Sequence, residues 1–259
     1  MAEAEDHAHF EALLEFLKRQ RGFDFSGYKR TSLQRRFRKR MDTVGVADYA
    51  DYLEYLELHA DEFTELFNTL LINVTSFFRD TAAWEFIDEH VVPELVSIAR
   101  DEGQLRLWSA GCASGEEAYS IAMLLVRAMD EDSVRDRVKI YATDVDEDAL
   151  NEGRHASYSA KAVQDVPSDL LERCFERNDQ HYAFRRDLRR ALIFGRNDLV
   201  QDAPISRIDM LLCRNTLMYF TAETQSRILA RFNFALRESG FLFLGRSEML
   251  LTHADLFTP

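Results

Sequence analysis

Apolar residues between positions 9 and 74 recur at helical spacing. Phe10, Leu13, Leu14 and Leu17 fall at i, i+3, i+4 and i+7. So do Tyr49, Tyr52, Leu53 and Leu56, and again Phe63, Leu66, Phe67 and Leu70. Between the first two stripes lies YKRTSLQRRFRKRM, where Leu33, Phe37 and Met41 keep an i, i+4 stripe among arginines. Four short helices with one apolar face each are expected to form a small bundle. No catalytic cluster is visible inside it.

The pattern changes after Pro93. The runs LRLWSA, VKIYATD, RALIF, IDMLLC and GFLFLG are nearly continuous in apolar residues, and helical patterns follow Glu116, Asp146 and Glu223. Buried strands alternating with helices predict an α/β fold, a doubly wound, Rossmann-like parallel sheet covered on both faces. Ligands in such sheets sit outside the carboxyl ends of the strands. The stretch from about 157 to 190 is less regular and reads as a small β insertion. The expected organisation is a helical domain at 1–74, a linker at 75–92 and an α/β domain at 93–259.

Composition narrows the choice of class. Hydrophobic residues make up 46% and charged residues 30%, as in an ordinary globular protein. No apolar run is long enough to suggest a membrane span, and the acidic start MAEAEDHAHF is not a secretory signal. Three widely spaced cysteines, Cys112, Cys174 and Cys213, argue for a reducing, cytoplasmic setting. None of the seven histidines has a metal-type spacing with a second ligand, so no metal is expected. The net charge of −13 disfavours nucleic acid as a partner. Yet from Lys18 to Arg40 ten basic residues face only Asp24. That island suits an acidic partner, although a merely solvated arginine-rich helix has the same composition.

Four stretches carry candidate chemistry. In LRLWSAGCASGEEAYSIAM, Gly111 and Gly115 let a ligand lie against the backbone between a strand and a helix. Glu116 and Glu117 then occupy the helix start, where a phosphate would otherwise bind. That placement suits a cationic ligand such as S-adenosylmethionine; the acids also complement the helix dipole without any ligand. Asp144, ending the next strand, is placed to accept ribose hydroxyls, and Asp146 to cap the following helix. These two features point to adenosine without separating NAD from S-adenosylmethionine. NVTSFFRD sets Asn73, Thr75 and Arg79 among apolar residues at the junction of the halves. IDMLLCRNTLMYF ends a strand on Cys213, Arg214 and Asn215, with Tyr219 beyond. Cys213 reads as a small buried hydrophobe rather than a nucleophile.

The motifs NVTSFFRD, WSAGCASGEEAYSIAM, ATDVDEDAL, CRNTLMYF and GFLFLGRSEML, in this order, resemble the CheR family of chemotaxis receptor glutamate O-methyltransferases over nearly the whole chain. The resemblance implies an S-adenosylmethionine cleft lined by Asn73, Thr75, Arg79, Gly111, Glu117, Asp144, Asn197, Asp198, Arg214 and Asn215. Arg79 and Tyr219 would lie near the transferable methyl. Arg35, Arg36, Arg38 and Arg40 of the basic second helix would dock acidic receptor helices. It implies methyl esters formed on receptor glutamates in sensory adaptation, by a cytoplasmic monomer. Two same-fold alternatives are a non-catalytic module sensing S-adenosylmethionine or S-adenosylhomocysteine, and a methyltransferase with another substrate. The segment ERNDQHYAFRRD lacks the glycine shared by members that tether to a receptor pentapeptide, so a pentapeptide-independent member is expected. The chain stops at LFTP, soon after GRSEML, which reads either as a trimmed chain or as a module cut from a longer one.

Overall fold

The computed structural model describes residues 2–248 and 256–258. Met249 and Leu250, which close the GFLFLGRSEML motif, lie outside the described residues. The chain divides into two units, 1–72 with 218–226, and 73–217 with 227–259.

The first unit holds α1 (Ala2–Arg21), α2 (Arg30–Val44), α3 (Tyr49–Leu58) and α4 (Glu62–Leu70). The expected apolar stripes form its core. Phe10, Leu13, Leu17, Leu33, Phe37, Tyr49, Tyr52, Leu56 and Leu66 are all buried. Asp48 caps α3, accepting from the Asp51 amide at 2.9 Å, and Gly45 ends α2 in the left-handed conformation. The segment 218–226 joins this unit by strand-like pairing. The Lys29 amide donates to the Tyr219 carbonyl at 2.9 Å, and the Thr221 amide donates to the Gly27 carbonyl at 2.9 Å.

The second unit begins with residues expected to be a linker. They carry helical structure. Within 75–92 lies α5 (Thr81–Phe86), which widens into a π-type turn at Ile87–Val91 and continues as α6 (Val92–Glu102). Phe77, Phe78, Trp84, Ile87 and Val91 belong to the core of this unit. Pro93 explains the widened turn, because its ring crowds the preceding turn and it has no amide to donate.

A five-stranded parallel sheet follows, opened by β1 (Leu105–Ala110) and β2 (Val138–Asp144). Between the first two run α7 (Glu116–Ala128) and α8 (Glu131–Arg137); α9 (Glu147–His155) leaves β2. The insertion holds β3 (Ser157–Ser159), α10 (Ser168–Cys174), β4 (Phe175–Asn178) and β5 (His181–Phe184), with the three strands antiparallel in the order β3-β5-β4. Its β4–β5 turn places Asp179 at φ +50, a left-handed conformation reached without glycine. The main sheet resumes with β6 (Leu192–Arg196) and β7 (Ile208–Cys213). After α11 (Ala222–Ala235) it closes with β8 (Leu236–Leu244), giving the order β6-β2-β1-β7-β8. Every residue of β7 is buried, as a strand covered on both faces requires. No helix among the described residues is long and apolar enough to cross a membrane.

Candidate cofactor site

The order of the sheet places β1 between β2 and β7, so the loops leaving these three strands meet at one edge. The loop after β1 makes the tightest turn. Gly111 has φ +76, and a Cβ there would stand 2.5 Å from the Thr216 Oγ1 atom, so only glycine fits. The Gly111 and Cys112 amides donate to the Thr143 carbonyl at 2.8 and 3.0 Å. The Ala113 amide, at φ +47, donates to Asp144 Oδ2 at 2.8 Å, and the Asp146 amide to Asp144 Oδ1 at 3.0 Å. Asp144 thus ties the first loop to the second, and burial pushes its carboxyl above the ordinary range. Asp146 caps α9 through the Asp148 and Ala149 amides.

Glu117 enters from the first turn of α7, where its Oε1 accepts from Ser109 Oγ at 2.8 Å. Burial pushes its pKa up to about 7, and Glu248 acts in the same direction; the Ser109 hydroxyl, Arg214 and Arg79 oppose them. A carboxyl held this far from water gains most from a cationic neighbour. The site therefore fits S-adenosylmethionine: a glycine turn with no room for a Cβ, an acid that favours an ammonium or sulfonium, and a second acid at the β2 tip. Glu116 differs. It is buried and bonded by Ser114 Oγ at 2.8 Å, so it belongs to the loop's own structure.

The segment 73–80 is braced on this edge. Asn73 Nδ2 donates to Asp146 Oδ2 at 2.6 Å, and the Phe78 amide donates to Ser120 Oγ on α7 at 3.0 Å. Arg79 is half-buried and donates from Nη1 to the Val74 carbonyl at 3.0 Å. Arg214 is buried; its guanidinium pairs with Asp80 and lies 4.7 Å from the Phe243 ring centroid. Its Nε has no hydrogen-bond partner. Phe78, Asp80, Ala113 and Asn215 all have positive φ, between +47 and +64. Non-glycine residues pay strain for that conformation, and such strain gathers at functional sites.

Several residues have other engagements than the sequence suggests. Asp198 bends back to accept from the Val200 amide at 2.8 Å, while its own amide donates to Asp202 Oδ2 at 2.7 Å. Its carboxylate shapes the loop after β6. Asn197 lies in the same loop and donates its amide to the Asp144 carbonyl at 3.0 Å. Thr75 is half-buried within the braced segment. Tyr219 belongs to the first unit, where the Arg36 guanidinium lies 4.7 Å from its ring centroid.

The arginines of the basic helix divide between an inner and an outer face. Arg36 is buried and donates to the Leu70 carbonyl, and burial holds its guanidinium below the usual value. Arg40 grips Glu62 with two bonds, of 2.8 and 2.6 Å, and Tyr52 donates to the same carboxylate at 2.6 Å. These two arginines hold α2 to α4 and to its neighbours. Arg35, Arg38 and Lys39 are exposed. Positions 33, 36, 37, 40 and 41 make one helical face, so extending the apolar stripe to the arginines would have placed both inward.

Sequence reasoning also missed Glu248. Its Oε2 accepts from the Asn215 and Gly245 amides at 2.8 Å each, and its Oε1 from the Leu217 amide at 2.6 Å. It clasps the loop that carries Arg214 and Asn215. An acid three residues beyond Gly245, which follows β8, was the available signal.

Residues 73–259 match the family described as CheR methyltransferase, SAM binding domain, and residues 8–71 match its all-alpha domain. A 104.1 kDa uncharacterised protein of Rhodobacter capsulatus is 38% identical over 95% of this chain, which spans only 26% of that protein. A chemotaxis protein methyltransferase of Listeria innocua is 33% identical, covering 96% of this chain and 92% of its own length. The chemotaxis protein methyltransferase of Escherichia coli is 30% identical over 93% of this chain and 84% of its own.

Proposed function

Because the chain belongs to the CheR methyltransferase family, we propose that it transfers the methyl group of S-adenosylmethionine to glutamate side chains on the cytoplasmic helices of chemotaxis receptors. The observation that carries the cofactor half of this reading is Glu117, an acid pushed up to about 7 beside a glycine turn. The receptor half rests on the named relatives and on the exposed cations Arg35, Arg38 and Lys39 of α2. The β4–β5 turn without glycine supports action independent of a receptor pentapeptide.

Glu117 would hold the cationic methionyl end and Asp144 the ribose hydroxyls. Gly111 gives the backbone its close approach, and Asn73, Thr75 and Asn215 line the cleft. S-adenosylmethionine supplies an electrophilic methyl on a sulfonium. A receptor glutamate has an ordinary pKa of about 4.3, so near neutrality it is already a nucleophile. One carboxylate oxygen forms the new C–O bond as the methyl–sulfur bond breaks; the sulfur keeps the electron pair and no proton moves. No general base is needed, which accords with buried Cys112 and Cys213, whose thiols burial pushes well up. The chain's own work is alignment, a contribution of up to about 7–11 kcal/mol in favourable cases. Charge is lost on the way to the transition state, so exclusion of water helps as well. Arg79 would hold the incoming carboxylate and Tyr219 orient it, with Arg36 fixing the tyrosine ring.

Incubation with radiolabelled S-adenosylmethionine and receptor cytoplasmic fragments, RNA or a metabolite mixture tests the reading. Label should enter only the receptor fragment, in a form released by mild alkali as an ester requires. Label in RNA or metabolites, or none anywhere, contradicts it.

A further inference from the structure

A second concave site lies on the α9 and β6 side of the α/β unit. It is an open, shallow pocket of about 450 Å³ lined by Arg154, Arg186, Arg189 and Arg190, with Tyr119 and Phe194 among its walls. That volume falls in the range of small-molecule sites, about 300–1,000 Å³. Four guanidinium groups around one cavity are unusual in a chain of net charge −13. Of these four arginines, only Arg154 answers an acid among the described residues.

Arg154 pairs with Glu147 at 2.6 Å. Arg186, Arg189 and Arg190 form no ion pair among the described residues. Arg189 is anchored by its Nη1, which donates to the Arg154 and His155 carbonyls at 3.2 and 3.1 Å; its Nε is buried without a hydrogen-bond partner. The nearest acid in sequence, Asp187, is engaged by Arg185 at 2.7 Å. Lys139 adds another cation, reaching the Arg190 carbonyl at 3.5 Å. Like charges gathered without counter-charges repel one another, and an anionic occupant relieves that repulsion.

Guanidinium forks match phosphate oxygens two at a time, and they do so better than ammonium groups. Of the two aromatic walls Tyr119 is fully buried, and the half-buried Phe194 is the one that a planar ring can meet. We propose that this cavity binds a nucleotide, its phosphate held by Arg186, Arg189 and Arg190 and its base against Phe194. The site is distinct from the cofactor cleft, whose acids Glu117 and Asp144 disfavour phosphate.

Calorimetric titration of the full chain with AMP and with GMP, each with S-adenosylhomocysteine at saturation, tests this. At least one nucleotide should bind saturably in the presence of S-adenosylhomocysteine. Arg186→Glu and Arg190→Glu, both at exposed positions, should weaken it tenfold or more at unchanged thermal unfolding. Arg186→Gln serves as the milder variant if charge reversal disturbs folding. A hexaglutamate peptide is the competing occupant. The proposal is overturned if neither nucleotide binds, if all three variants bind as the parent does, if S-adenosylhomocysteine displaces the nucleotide, or if only hexaglutamate binds.

Discussion

Glu117 concentrates the chemistry of the cofactor cleft in one ionisable group. With its pKa near 7, it carries a proton in about half of the ligand-free molecules at neutral pH. A cationic ligand favours the ionised form. Binding of S-adenosylmethionine at pH 7 should therefore release about half a proton per site, and its affinity should rise as pH increases from 6 to 8. Calorimetry in two buffers of different ionisation enthalpy measures the release; proton uptake on binding contradicts the assignment. Glu117→Gln should abolish the proton release and weaken binding by about ten- to a hundredfold, the range of one charge-assisted hydrogen bond. Arg79 is expected to behave differently. Arg79→Ala should lose far more methyl transfer than cofactor affinity, and equal losses in transfer rate and calorimetric affinity would make it a binding residue only.

At the scale of elements, α2 separates two kinds of arginine. Arg35→Glu with Arg38→Glu should weaken binding to receptor fragments, most at low salt, without altering S-adenosylmethionine binding. Unchanged receptor affinity at low ionic strength would remove α2 from docking. Arg40→Met leaves the buried Glu62 carboxylate without its bidentate partner and should destabilise the helical unit by about 3 kcal/mol or more, read as a lower denaturant midpoint. The sequence shows the four helices and the five parallel strands because burial on one face or two imposes a period. It shows Gly111, Glu117 and Asp144 because strand ends and helix starts have local signatures. The inward placement of Arg36 and Arg40 is masked by the charge of the stretch and carried by its period. Period also marks 75–92, where Trp84, Ile87 and Val91 keep a helical spacing that a linker would not need. The pairing of 219–221 with 27–29 and the clasp of Glu248 on Asn215 join distant stretches. No local pattern encodes such contacts.

For the whole molecule, buried acids set the response to pH. Burial raises the carboxyls of Glu116, Glu117, Asp144, Asp198 and Asp209. Each stays protonated in the folded state at pH values where the unfolded chain has already ionised. The folded state then binds more protons, so stability falls as pH rises through the window between the two values. For Glu117 that window runs from 4.5 to about 7. Asp24, Asp48, Glu62, Asp130 and Asp187 are shifted downward, and their contribution is lost below the ordinary carboxylate range. Melting of the ligand-free protein should therefore occur at lower temperature at pH 8 than at pH 5.5. Scanning calorimetry checks this, and a melting temperature that climbs over that interval contradicts it.

The central claim is that the β1–α7 turn holds a cationic sulfur compound rather than a phosphate-bearing dinucleotide. Parallel calorimetric titrations with S-adenosylmethionine and with NAD at pH 7.5 test it most directly. Saturable binding of the first, lost or sharply weakened in Glu117→Gln, with no heat from NAD at that cleft, is the expected result. Tight NAD binding by a protein that ignores S-adenosylmethionine would contradict the account at its base.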